Sequence, residues 1–190
     1  MDCKWRLAVD VHSNFAKRNV NDDHETMTAE RRQLKFASLD EAVRDAEQLL
    51  ASGYEQAGNW DLTQCCHHLA VLMDYPIDGF PKFSFPLNVG SWLLKQTVAH
   101  RYLNRVLESG VWPAGSPTDK RTVPSTGGND EEAVARLKQA AERLQSHTGS
   151  FQPSPLFGML DKETLLKLHR IHTAHHLSFL VPADANAASK

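Results

Sequence analysis

The 190-residue chain is poor in cysteine, with only Cys3, Cys65 and Cys66. Two of these are neighbours and the third lies near a terminus, so they do not make a disulfide framework. Free thiols in a reducing, cytoplasmic setting are expected. Long hydrophobic runs are also missing. No apolar stretch approaches the ~20 residues needed to cross a bilayer, so no membrane association is expected. An apolar patch from Trp5 to Val11 is interrupted by Asp10 and is too short and polar for a signal-peptide core. Nor does either charge sign dominate: Lys plus Arg is 21 and Asp plus Glu is 23, a net charge of −2. That balance argues against a nucleic-acid partner and against an acidic solvating tail. What remains, 41% hydrophobic and 23% charged residues, is the composition of a soluble globular protein with one domain.

Strand-like alternation and internal repeats are absent as well, whereas helical periodicity recurs in five segments. The first opens at Ser38, with Glu41 three residues on as a capping box, and closes at Gly53. Leu39, Val43, Ala46 and Leu50 form its inner stripe. The second is expected over 61–74, capped by Asp61 and closed by Pro76; it is apolar nearly all round, which makes it central. The third is expected over 88–109, the fourth over 129–145 and the fifth over 161–180, before Pro182. Together they predict an all-α bundle. Residues 1–30 lack periodicity and read as a flexible extension, 31–182 as the folded domain and 183–190 as a loose tail. The connections 75–87 and 110–128 are long and rich in proline, glycine or phenylalanine. Loops of this kind are functional covers or disordered.

Histidine is the residue in excess, with ten in the chain. Four of them, His169, His172, His175 and His176, crowd the fifth helix. Spacing alone proves little, since chance supplies roughly 0.5 His pairs at i,i+4 in such a chain. Position on the helix says more. At ~100° per residue, His169, His172 and His176 fall within roughly 40° of Leu165, in the middle of the apolar stripe. His175 falls roughly 80° away, on the flank. A helix that buries Leu165 and Leu180 therefore buries imidazoles, which need partners. A divalent metal would satisfy them, since i,i+4 spacing sets two ring nitrogens within reach of one ion. Bonds to carboxylates, carbonyls or water would also do so. A zincin-type protease is disfavoured, because His172-Thr173-Ala174-His175-His176 lacks the glutamate of His-Glu-x-x-His.

A third ligand should come from another helix. In the second, His68 borders the apolar stripe and His67 points away, so His68 is expected inward. Cys65 shares that edge as a fourth ligand, a nearby thiol or, more simply, a small buried hydrophobe. His100 lies on the stripe of the third helix and is expected as a satisfied core residue. His12, His24 and His147 read as surface or tail residues.

The segment Trp60-Asp61-Leu62-Thr63-Gln64-Cys65-Cys66-His67-His68-Leu69-Ala70 resembles the Trp…His-Leu segment of DinB/YfiT-like proteins. Pro155-Leu156-Phe157-Gly158, followed by His172-Thr173-Ala174-His175-His176-Leu177, resembles its partner segment. The combination is most similar to the DUF1569 branch and spans about residues 31–182. The resemblance implies an up-down-down-up four-helix bundle, often a homodimer. It also implies a divalent transition metal, zinc or nickel, held by His68, His172 and His176. Some such relatives are thiol-dependent transferases or isomerases that use glutathione-like small molecules, and many have no known activity. In that branch a His often stands where this chain has Ser154, and an Arg-Gln pair where it has Ser178 and Phe179, which implies a different substrate or lost activity. Two functions follow as expectations. One is a metal-dependent enzyme, with His169 as candidate for an acid/base or supporting role. The other is a non-catalytic binding or structural protein in which the His cluster only clamps two helices.

Overall fold

The computed structural model describes residues 30–81, 98–113, 115–116 and 118–183. The expected extension and tail fall almost wholly outside them, as does the start of the third expected helix. The described chain is mostly helical, with α1 (Leu39–Ser52), α2 (Leu62–Asp78), α3 (His100–Ser109), α4 (Asp130–Ser146) and α5 (Lys162–Leu177). A short 3₁₀ turn spans Lys120–Thr122. No helix of the described chain is long and apolar enough to cross a membrane.

The helix starts follow the local chemistry. Ser38 Oγ accepts from Glu41 N at 3.1 Å, while the Glu41 carboxylate reaches back to Ala37 N at 2.6 Å, one residue before the expected cap partner. Asp61 and Gln64 form a complete capping box at the start of α2. Asn129 and Asp161 cap α4 and α5, each accepting from the backbone N–H of the third helical residue, Glu132 and Thr164. The central element is α2, which packs most extensively on α4. Leu62, Leu69 and Met73 of α2 meet Leu137, Ala140 and Leu144 of α4 in the main core, with Leu39 and Leu49 of α1 completing it. Arg136 and Arg143 of α4 both pair with the buried Asp74 of α2. A second, smaller cluster joins Leu103 and Val106 of α3 to Leu168 and Ile171 of α5.

Three sequence expectations are corrected. Pro76 does not close α2; the helix runs on to Asp78 and ends at Gly79, φ 106°. Pro76 lies in the last turn, where the N–H it lacks costs one intrahelical bond and its fixed φ suits the helix. Gly79 N donates to Tyr75 O at 2.9 Å and finishes the turn. Second, α5 stops at Leu177 rather than Leu180. Leu180–Pro182 forms a strand, β2, paired antiparallel with β1 (Tyr54–Gln56). Proline disfavours the helical region for the residue before it, so the chain turns extended ahead of Pro182. A three-residue strand carries no alternation that the sequence could reveal. Third, His100 is exposed rather than a core residue.

The two-stranded ladder places the site. Tyr54 pairs with Pro182 and Gln56 with Leu180, and Ala57 N donates to Phe179 O at 2.8 Å. The exit of α1 is thereby fixed to the exit of α5, just before the chain enters α2. The start of α2 and the end of α5 are set side by side.

Candidate metal centre

His68 follows from the register of α2. Asp61 fixes the first turn, Cys65 and Leu69 face the core, and His68 emerges at their edge facing α5. It is 3% exposed, while His67 points to solvent. On α5, His172 and His176 lie one turn apart at 6% and 9% exposure. One ring nitrogen from each of the three lies within 4.8 Å of the other two. The His172 and His176 Nε2 atoms are 3.0 Å apart. Two nitrogens sharing an ion at ~2.0–2.1 Å stand about 2.9–3.4 Å apart, so the donor set fits one divalent transition metal. The fold brings together the trio that the sequence indicated.

The orientation of His68 is set by Thr122. The Thr122 hydroxyl donates to Asp119 O at 2.7 Å and so must accept from His68 Nδ1, also at 2.7 Å. Nδ1 carries the proton, and Nε2 presents its lone pair. Support of this kind is typical of metal-ligating imidazoles. Aromatic rings close the sides. Trp60 stacks on His176 with centroids 4.9 Å apart and meets His68 edge-on at 5.1 Å. Trp112 lies 4.3 Å from the His172 ring.

Burial keeps the imidazoles neutral. It pushes His68 down to about 4, aided by His67 and opposed by Asp119. It takes His176 down to about 2, aided by His68, His175 and Arg31. It holds His172 well below the usual value, with the neighbouring histidines adding to the effect. Neutral imidazole is the form that ligates.

The other candidates have different places. Arg31 Nη2 donates to His175 Nδ1 at 3.1 Å, which leaves Nε2 of His175 as its protonated nitrogen. Cys65 is buried, its thiol pushed up to about 12 by burial and directed at His176 O, 3.9 Å away. It joins the main core rather than the trio. His169 is 7% exposed and lines the same cavity as the trio, one turn before His172. His147 is half-buried against Phe151, while His12 and His24 lie outside the described residues. Ser154 is buried, its hydroxyl accepting from Leu156 N and Phe157 N. Ser178 accepts from Arg31 Nε at 2.8 Å, and the Phe179 ring carries the Arg31 guanidinium at 4.1 Å. Ser178 and Phe179, which stand where the expected pattern has Arg-Gln, therefore both hold Arg31, the partner of His175. Sequence reasoning missed Thr122 and Trp112. They lie in an irregular connection with no periodicity, where only their residue types were visible.

A cavity of about 550 Å³ opens directly on the trio, lined by His68, His172 and His176 on one side and Tyr102, Phe157 and Leu160 on the other. Fold and site together define a mostly helical protein in which three buried histidines could hold a metal ion beside a pocket. The profile of the family "Protein of unknown function (DUF1569)" matches residues 28–183, and the chain belongs to that family. No curated protein and no solved structure matches the chain.

Proposed function

We propose that this protein is a metal-dependent enzyme of the DinB/YfiT-like type, catalysing group transfer or isomerisation on a small molecule. In this assignment α1, α2, α4 and α5 are the helices of an up-down-down-up bundle. The observation that carries it is the convergence of three neutral ring nitrogens within 4.8 Å, one of them fixed in its ligating tautomer by Thr122. His68, His172 and His176 would hold the ion, zinc or nickel. Three protein donors beside an open pocket are the pattern of catalytic rather than structural sites. When bound, the ion would supply Lewis acidity to a thiol, hydroxyl or carbonyl entering from the cavity. The chain's own groups do the rest: Trp60 and Trp112 exclude water from the trio, Thr122 orients His68, and Arg31 holds His175. His169 is the candidate for moving a proton at the cavity wall. Homodimer formation, a small thiol as co-substrate and a cytoplasmic setting belong to the same proposal. They rest on the family resemblance and, for the last, on the free thiols of Cys65 and Cys66.

Elemental analysis tests it. Purified protein offered zinc or nickel should retain about one ion per chain. His68→Ala and His172→Ala should lose it while keeping their helical circular dichroism. Wild type that takes up neither metal would end the proposal. Ion that is retained, yet whose cobalt-substituted spectrum no thiol or small molecule perturbs, would favour the structural alternative.

A further inference from the structure

Several polar groups of the cavity wall are already engaged within the protein. The Ser116 hydroxyl donates to Pro113 O at 2.8 Å, so the Tyr102 hydroxyl, 3.0 Å away, must donate to Ser116. Ser154 receives two backbone N–H groups, and Thr122 is committed to His68 and Asp119. Among the described residues, the lining that remains is mostly ring faces and aliphatic carbon, with Tyr75, Thr118, His169 and His175 as its further polar groups. Tyr102 and Phe157 lie parallel, 2° between planes with centroids 6.4 Å apart, and Trp112 meets Tyr102 edge-on at 6.0 Å. Trp112 in turn touches His172, so the aromatic surface runs unbroken to the trio. No lysine or arginine is among the described residues lining the cavity, and the one charged group there is the carboxylate of Asp119. That carboxylate is paired with Arg121.

We propose that the site takes a neutral molecule with an aromatic or branched aliphatic body and a single donor head directed at the trio, and that it discriminates against charged peptide thiols. The proposal rests on the metal reading for the head group and on the wall alone for the body. Glutathione brings carboxylates and an ammonium group to a wall whose described residues offer no lysine or arginine to meet them, and such charges are costly to bury. An apolar body instead gains by displacing water from ring faces. The cavity size falls within the usual range for small-molecule sites of ~300–1,000 Å³.

Two titrations test this. In the first, cobalt-loaded protein is titrated with 2-phenylethanethiol and with glutathione, reading the visible absorption of the metal. The aryl thiol should bind about tenfold or more tightly. Equal or tighter glutathione binding would overturn the proposal and leave the metal site standing. In the second, metal-free protein is titrated with the neutral fluorophore N-phenyl-1-naphthylamine. A blue-shifted, saturable signal is expected in wild type, weakened in Leu160→Lys and in Phe157→Ala. Leu160 is half-buried at the cavity edge, so its lysine can be accommodated, and circular dichroism checks both folds. No signal, or one indifferent to both substitutions, would overturn the proposal. If wild type binds the fluorophore in this manner but takes up no metal, the apolar site stands and the enzyme assignment fails.

Discussion

Thr122→Val isolates the support of His68 from the ligands themselves. The side chain is 0% exposed, and valine nearly reproduces its shape. What disappears is the hydroxyl, which joins His68 Nδ1 to Asp119 O through two bonds of 2.7 Å. Without it the imidazole loses the bond that selects its tautomer and its buried N–H loses its partner, while Asp119 O keeps the bond from Thr122 N. Second-site losses of this kind weaken metal affinity roughly 10–100-fold, or about 1.4–2.8 kcal/mol. The unpaired N–H adds a stability cost of about 1–3 kcal/mol. Competition against a chromophoric zinc chelator at pH 7.5 measures the first effect, and urea unfolding of the metal-free protein the second. Imidazole ¹⁵N spectra should show one His68 tautomer in wild type and a mixture in the variant. Thr122→Ser, which keeps the hydroxyl, should retain most of the affinity. Unchanged zinc affinity in a folded Thr122→Val protein would refute the reasoning, as would an equal loss in Thr122→Ser.

Two further outcomes are expected. Metal-free protein should lose stability as pH falls from about 6.5 towards 4: burial holds His68 and His169 at about 4, so the unfolded chain binds more protons in that window and folding stability rises with pH. Each such histidine contributes up to about 1.4 kcal/mol per pH unit, and a flat unfolding midpoint between pH 4.5 and 6.5 would contradict the burial argument. Gly58→Ala should destabilise the protein by about 1–3 kcal/mol, because a Cβ there would stand 3.0–3.1 Å from the Phe179 side chain; a melting temperature equal to wild type would show that Phe179 yields without cost.

The helical part of the fold was legible because its signals are local. Ser38, Asp61, Asn129 and Asp161 each cap a helix, and the buried stripe of α4 repeats as Val134, Leu137, Ala141 and Leu144. The trio was legible for a related reason: a helix that buries Leu165 must also bury His172 and His176. His100 shows where that logic fails. An apolar stripe gives the direction of a face, but its edge depends on what packs against it, and here His100 faces solvent. The strand pair escaped because three residues are too few for a period. Thr122 and Trp112 escaped because their positions follow from the path of a connection, which depends on tertiary packing rather than on local preference.

The trio and the aromatic part of the cavity wall draw largely on different parts of the chain, although Leu72 of α2 and Leu165, Leu168 and His169 of α5 also line the cavity. Two donors are locked to the pitch of α5 and the third to the capped start of α2, whereas Phe80, Tyr102, Trp112 and Phe157 come from the stretch between those helices. In the proposed site, ligation and molecular selectivity would therefore be largely separately encoded. Under that proposal, exchanges of the aromatic residues in the intervening stretch would change which compound is admitted while the donor atoms stay where they are.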